Sequence, residues 1–188
     1  MERIIRTAIL PKKTGIILPR AKQSGHTDKI MGRCLMYKEI ERKFLVLDQS
    51  YQQFAQGVLY RQGYLSFHPS VRIRIIGQKA LLTVKGPTTG ISRSEFEYEI
   101  PLQDGLEMLN ELCSNPIIEK YRYKFDYNGF TWEIDEFLGD NEGLVVAEIE
   151  LEQKDQVFDK PPFIGEEVTH DKRYRNSYLV QHPFKTWT

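Results

Sequence analysis

The chain has 188 residues, with 26 Lys and Arg against 26 Asp and Glu and a formal net charge of zero at pH 7. That length suits one domain with a real core, and the charge balance argues against a general nucleic-acid binder, which carries a basic excess. Charged residues still make up 28% of the chain, so the useful question is where so many charges of both signs sit. Cys34 and Cys113 form neither a disulfide framework nor a metal-ligand spacing and read as reduced thiols of a cytoplasmic protein. No apolar run approaches the roughly 20 residues needed to span a bilayer.

Residues 1–35 are basic, carry Pro11 and Pro19, and show no sustained hydrophobic period. They lack the long apolar stretch and small-residue cleavage site of a signal peptide, and are expected to form a disordered extension ahead of a single domain over 36–188. The domain opens with EIERKFLV. Period-two alternation puts Glu39, Glu41 and Lys43 on one side of a strand and Ile40, Arg42 and Phe44 on the other. Asp48 to Gln56 reads as a short helix capped by Asp48 or Ser50. VLYRQGYLSF is a strand whose Gly63 suggests a bulge or a close backbone approach. SVRIRIIG sets Arg72 and Arg74 against Val71, Ile73 and Ile75, and after a turn at Gly77-Gln78, ALLTVKG sets Thr83 and Lys85 against Leu82 and Val84. ISRSEFEYEIP puts Arg93, Glu95, Glu97 and Glu99 on one face.

Leu102 to Asn115 has helical spacing, with Asp104 available as a cap. IEKYRYKFDY then sets Lys120, Arg122 and Lys124 against Tyr121, Tyr123 and Phe125, and Asn128-Gly129 marks a hairpin. FTWEIDEF sets Glu133 and Asp135 against Trp132 and Ile134. GLVVAEIELEQ sets Glu148, Glu150 and Glu152 against Ile149 and Leu151. After a loop at Pro161-Pro162, VTHDKRYRNSYLVQHP reads as a last short helix capped by Asp171.

This is a mainly β (α+β) pattern of about eight antiparallel strands with a few helices. One face of nearly every strand is charged, the signs segregate by strand, and eight strands is a number that closes a sheet and removes its edges. The predicted architecture is an eight-stranded antiparallel closed β-tunnel, charged inside and covered outside by helices or a second copy of the chain. Such a bore suits polyphosphate with a hard divalent cation. Arginine grips phosphate oxygens bidentately and lysine acts as a point charge, while Mg²⁺ takes a few carboxylates plus substrate oxygens.

EIERKF, VRIR, LTVKG, RSEFEYEI, EKYRY, AEIELE and VTHDKRYRNSYL, in this order over about residues 37–188, resemble the CYTH superfamily, the triphosphate tunnel metalloenzymes. Glu39, Glu41 and Lys43 match its ExExK signature. The resemblance implies an eight-stranded tunnel, Mg²⁺ or Mn²⁺ as cofactor and a substrate carrying a triphosphate, and is greatest to bacterial inorganic triphosphatases. It implies Glu39, Glu41, Glu148, Glu150 and Asp135 as metal ligands. It also implies Lys43, Arg72, Arg74, Lys85, Arg93, Lys120, Arg122 and Lys172 along the phosphate track, with Lys43, Arg72, Lys85 and Glu41 closest to the chemistry. The expected reaction is metal-activated water attack on tripolyphosphate, giving diphosphate and phosphate. A class IV adenylyl cyclase, a thiamine or nucleoside triphosphatase and a non-catalytic polyphosphate-binding module are the alternatives. His170 and Tyr178 depart from the family pattern and bear on the shape of the tunnel end. His26, His68, His170 and His182 read as turn or surface residues. The expected partners are a triphosphate-bearing small molecule and a second copy of the chain, with no nucleic acid and no membrane.

Met36 lies just ahead of the first strand, and translation is expected to begin there. Mass spectrometry of natively expressed protein tests this: the expected result is no peptide from residues 1–30, and one such peptide overturns it.

Overall fold

The computed structural model describes residues 40–86 and 95–187. The extension expected over 1–35, together with Glu39 and Arg93, lies outside the described residues. Nine strands are present: β1 (Ile40–Val46), β2 (Val58–Phe67), β3 (Ser70–Ile76), β4 (Lys79–Lys85), β5 (Glu95–Ile100), β6 (Ile118–Tyr127), β7 (Phe130–Phe137), β8 (Val145–Leu151) and β9 (Ile164–Glu167). They form one antiparallel sheet in the order β5-β4-β3-β2-β6-β7-β8-β1-β9.

Two expectations are corrected here. The sheet has nine strands, not eight, and among the described residues it does not close, because β5 and β9 stay its two edges. The extra strand is four residues long and joins β1 at only two register positions, Phe44↔Glu167 and Val46↔Ile164. That is too short for alternation to reveal. It falls where the sequence shows a proline loop running into a helix.

The turns follow their chemistry. Asn128 (φ 49°) and Gly129 (φ 82°) take the two left-handed positions of the β6–β7 hairpin. Gly63 meets the close approach suggested for it: a Cβ there would lie 2.6 Å from Cβ of Cys113. The bulge falls just beyond, where the β2–β3 register slips between Tyr64 and Ser66. Asp48 caps a 3₁₀ turn over Gln49–Gln53 by accepting a hydrogen bond from the Ser50 N–H at 2.8 Å.

Register sorts the sheet into two faces. The outer face carries Phe44, Phe125, Trp132, Ile134, Ala147, Ile149 and Leu151, packed under Tyr51 of the 3₁₀ turn and under Phe163 and Ile164. Further along, Ile73, Ile75 and Ala80 lie under α1 (Leu102–Glu111). Each large apolar side chain buried this way contributes about 1.5–3 kcal/mol. Gly105 is required by that packing, because a Cβ there would sit 2.4 Å from Cβ of Ala80. α1 begins at Pro101 without a side-chain cap, and Asp104, the expected cap, lies inside its first turn, where its charge meets the positive end of the helix. Most of the apolar face is thus covered from within the chain. Phe96 and Tyr98 on β5 remain exposed.

The C-terminal stretch is not the single helix predicted. Asp171 accepts from the Arg173 N–H and caps a 3₁₀ turn at Lys172–Tyr174, Arg175 is extended (ψ 137°), and α2 (Asn176–Leu179) starts afresh. A local side-chain bond here competes with continuous helix. The break lets Leu179, Val180, Phe184 and Trp187 pack on Tyr64, Ile118, Phe137 and Val146. Those four strand residues share the face of the charged rows, so the C-terminus plugs one end of that face.

β9 is fastened to β1 by Arg42, whose Nε donates to Glu167 Oε1 at 2.9 Å while its Nη2 donates to Oε2. The hydrogen bond from Arg42 holds the Glu167 carboxyl at about 2, below its ordinary 4.5. A depressed carboxyl stabilises the fold above its unfolded value, and that stability is lost as pH falls through the folded one. Between pH 4.5 and about 2, the Tm of the wild type is therefore expected to fall more steeply than that of Glu167→Gln. Thermal melts followed by circular dichroism check this, and parallel curves would refute it.

Candidate active site on the charged face

The opposite face is continuous from β1 to β8. Glu41 pairs in register with Glu150 and Lys43 with Glu148. Glu148 faces Glu133, which faces Lys124, and Asp135 faces Arg122. Lys120 sits beside Tyr60, Gln62 beside Arg74 and Tyr64 beside Arg72. Thr83 lies beside Arg72, and Lys85 and Thr83 beside Glu95 and Glu97. The strand alternation in the sequence places these residues on one face, and the sheet brings the strands together.

The middle of the face is shielded from solvent. Lys120 and Asp135 are each 1% exposed, and Glu148 is 9%. Buried charges persist only when paired and hydrogen-bonded, and here they are. Lys120 Nζ donates to Asp135 Oδ2. Arg122 donates from Nε to Asp135 Oδ1 and from Nη2 to Oδ2, both at 2.6 Å. It also reaches Glu148 Oε2 at 2.7 Å and Glu133 Oε2. Lys43 pairs with both Glu41 and Glu148. At the other side, Lys85 pairs with Glu95 at 2.7 Å. Thr83 Oγ1 donates to Glu97 Oε2 at 2.7 Å and accepts from Arg72 Nη2 at 3.5 Å.

These surroundings shift the titrations. Burial pushes the Lys120 ammonium down to about 8, against the pull of Asp135. Burial opposes ionisation of Asp135, but Lys120 and Arg122 hold its carboxyl well below the usual range. Burial also works against the charge on Lys43, and Glu148 and Glu41 overcome it and raise it. Arg74 is lowered to about 10 by burial and by repulsion from Arg72 and Arg122. It makes no ion pair among the described residues, and its guanidinium lies 5.9 Å from the centre of the Tyr60 ring.

At the acidic end, a cavity of about 310 Å³ is lined by Glu41, Glu133, Glu148, Glu150 and Glu152, with Lys124 as its one cation. The donor set is hard oxygen, which suits Mg²⁺ or Mn²⁺. Among the described residues no three carboxylates stand close enough together to hold an ion as they are; Glu41 and Glu148 are turned onto Lys43 and Arg122 instead.

Of the predicted site residues, Glu41, Lys43, Arg72, Arg74, Lys85, Lys120, Arg122, Asp135, Glu148 and Glu150 share this face. Lys172 does not join them in an ion pair: it is exposed on the 3₁₀ turn after β9. Glu39 and Arg93 lie outside the described residues. His68, His170 and His182 are exposed, as expected. Sequence reasoning missed Tyr60 and Gln62, because β2 shows no charge alternation. It also missed the weight of Glu133, which ties Arg122 to Lys124. Thr83 was visible only as a neighbour of Lys85.

The fold is a single antiparallel sheet with cations and carboxylates interleaved across one face. The CYTH domain pattern matches residues 37–178, and the chain belongs to that family. It is 58% identical over 154 residues, 81% of its length and 99% of the relative's, to an inorganic triphosphatase of Acetivibrio thermocellus. It is 38% identical over 152 residues, 76% of its length and 96% of the relative's, to an inorganic triphosphatase of Nitrosomonas europaea. A crystal structure of an inorganic triphosphatase superposes with a TM-score of 0.57 at 36% identity, covering 76% of this chain and 93% of that one.

Removing one partner of a buried ion pair leaves the other charge uncompensated, at a cost of about 3–5 kcal/mol. Asp135→Ala is expected to destabilise the protein by about that amount, while the double change Lys120→Met with Asp135→Leu recovers most of the loss. Urea unfolding of the three proteins measures both.

Proposed function

We infer that this protein is a divalent-metal-dependent inorganic triphosphatase, hydrolysing tripolyphosphate to diphosphate and phosphate. The observation that carries the reading is the charged face itself, cationic from Arg72 to Arg122 and acidic around Glu41, Glu148 and Glu150. The 58% identity to a triphosphatase over nearly that relative's whole length supports it.

In this reading Arg72, Arg74, Lys85, Lys120 and Arg122 bind phosphoryl oxygens, and Lys43 stands where the cationic and acidic halves meet. Arg93 joins this set on the family resemblance alone, since it lies outside the described residues. Glu41, Glu148 and Glu150, with Glu39 from the same ExExK pattern, hold the metal. When bound, the ion polarises phosphoryl oxygens and lowers the pKa of a coordinated water. Asp135, both of whose oxygens are engaged by Lys120 and Arg122, acts as their counter-ion. It fixes the two cations where negative charge builds up on the leaving diphosphate. Glu41 and Glu148, which pair with Lys43 and Arg122, are the carboxylates that would hold the ion once phosphate oxygens engaged those cations. Lys172 closes the mouth from the turn after β9.

No helix of the described residues is long and apolar enough to cross a membrane. A homodimer is proposed through the strip around Phe96 and Tyr98 that α1 leaves open.

Phosphate release from tripolyphosphate, thiamine triphosphate and ATP with Mg²⁺ or Mn²⁺ tests the function. Tripolyphosphate is expected to be the best substrate, chelation to abolish turnover and the metal to restore it. Glu41→Ala and Lys85→Ala are each expected to lower kcat on the order of a hundredfold. Wild-type rates in both would refute the roles given to them.

A further inference from the structure

Gln62 is a buried, uncharged polar side chain of the charged face whose amide is left unsatisfied among the described residues. It is fully buried, and among the described residues neither its amide oxygen nor its amide nitrogen has a partner. In native proteins a buried amide left without partners calls for an explanation, and β2 as a strand supplies none. The buried Nε atoms of Arg72 and Arg74 also lack partners. Arg74 is the cross-strand neighbour of Gln62, and Arg72 that of Tyr64 two residues on. Three unsatisfied groups, two of them cationic, therefore lie together on one face. Arg72 comes no nearer than 4.0 Å to Glu97, and Arg74, which feels Glu97 at longer range, makes no ion pair among the described residues. This is where the positive charge of the face is least neutralised.

One chemical group has the donors and acceptors to complement all of them. A terminal phosphoryl group brings oxygens that accept from both arginine Nε–H groups and from the Gln62 amide N–H. With a second ionisation near about 6, it also carries a P–OH for part of the time, which the Gln62 amide oxygen can accept. A bridging phosphoryl has no such hydroxyl. The position is also closed. Gln62 pairs in register with Ile118, and both Ile118 and Tyr64 are packed beneath Leu179, Val180 and the C-terminal aromatics. A substituent on the phosphoryl group would run into that plug.

We propose that Gln62, with Arg72 and Arg74, seats an unesterified terminal phosphoryl group of the substrate, and that Gln62 selects the free end. The proposal rests on the triphosphatase reading and adds to it a residue and a direction of substrate entry. Gln62 contributes binding at the expense of the empty protein's stability, because an unpartnered buried amide is costly.

The test is steady-state hydrolysis of tripolyphosphate by wild type, Gln62→Met and Gln62→Glu, with thermal melts of each. Gln62→Met keeps the length of the side chain and removes the orphaned groups. Its Tm is expected to match or exceed that of wild type, while KM for tripolyphosphate rises about tenfold or more, the loss of hydrogen bonds to a charged group. Gln62→Glu gives Arg74 a permanent carboxylate partner and is expected to weaken KM further. A symmetrical dinucleoside triphosphate, with both ends esterified, is expected not to compete with tripolyphosphate in the wild type. KM values within about twofold of wild type in both variants, a marked fall in the Tm of Gln62→Met, or competition by the dinucleoside overturns the proposal. A wild type that does not hydrolyse tripolyphosphate overturns the functional reading itself.

Discussion

A lysine and an aspartate at 1% exposure are tolerable only because each neutralises the other and Arg122 joins them. Burying an isolated charge costs several kcal/mol even after relaxation, so the Lys120–Asp135–Arg122 cluster is the condition on which the charged face exists. Removing its carboxylate leaves two adjacent cations in a poorly solvated place. Kept intact, the cluster lets a sheet present a dense row of positive charge to an interior rather than to water.

The network spreads from that cluster in a graded way. Arg122 connects Asp135 to Glu148, and Glu148 connects to Lys43, so four strands share one electrostatic unit. Carboxylates increase toward β8 and β1, and unneutralised cations increase toward β3. The free protein satisfies its charges by pairing them internally.

The opposite face has an ordinary task. Aromatic and aliphatic side chains of β1, β6, β7 and β8 are covered by a 3₁₀ turn and by Phe163, and those of β3 and β4 by α1. The C-terminal segment crosses to the charged side and closes one end of it with apolar side chains. The protein therefore has two kinds of covered surface on one sheet, one dry and one charged. The His170 and Tyr178 departures both fall on the closing segment, whose Tyr178 stacks on His182 at 4.3 Å.

Period-two alternation determined the charged strands β1 and β3 to β8 and the face on which their charges stand, because side-chain direction in a strand is a local property. It also placed the Asn128-Gly129 turn and the close approach at Gly63. The ordered motifs carried the resemblance to the family. Local pattern had no means of showing β9, whose four residues are held by β1, nor the broken C-terminal helix, whose course is set by what it must cover. Nor could it say which carboxylate serves which cation. Nothing in the sequence signalled that Lys120 and Arg122 would meet both oxygens of Asp135, and Gln62 looked like an unremarkable strand residue until its neighbours were assembled. Strand membership and facing were decided by the sequence, because they depend on adjacent residues. Pairing, shielding and the unsatisfied corner at Gln62 were decided only by the tertiary structure, because they depend on residues tens of positions apart.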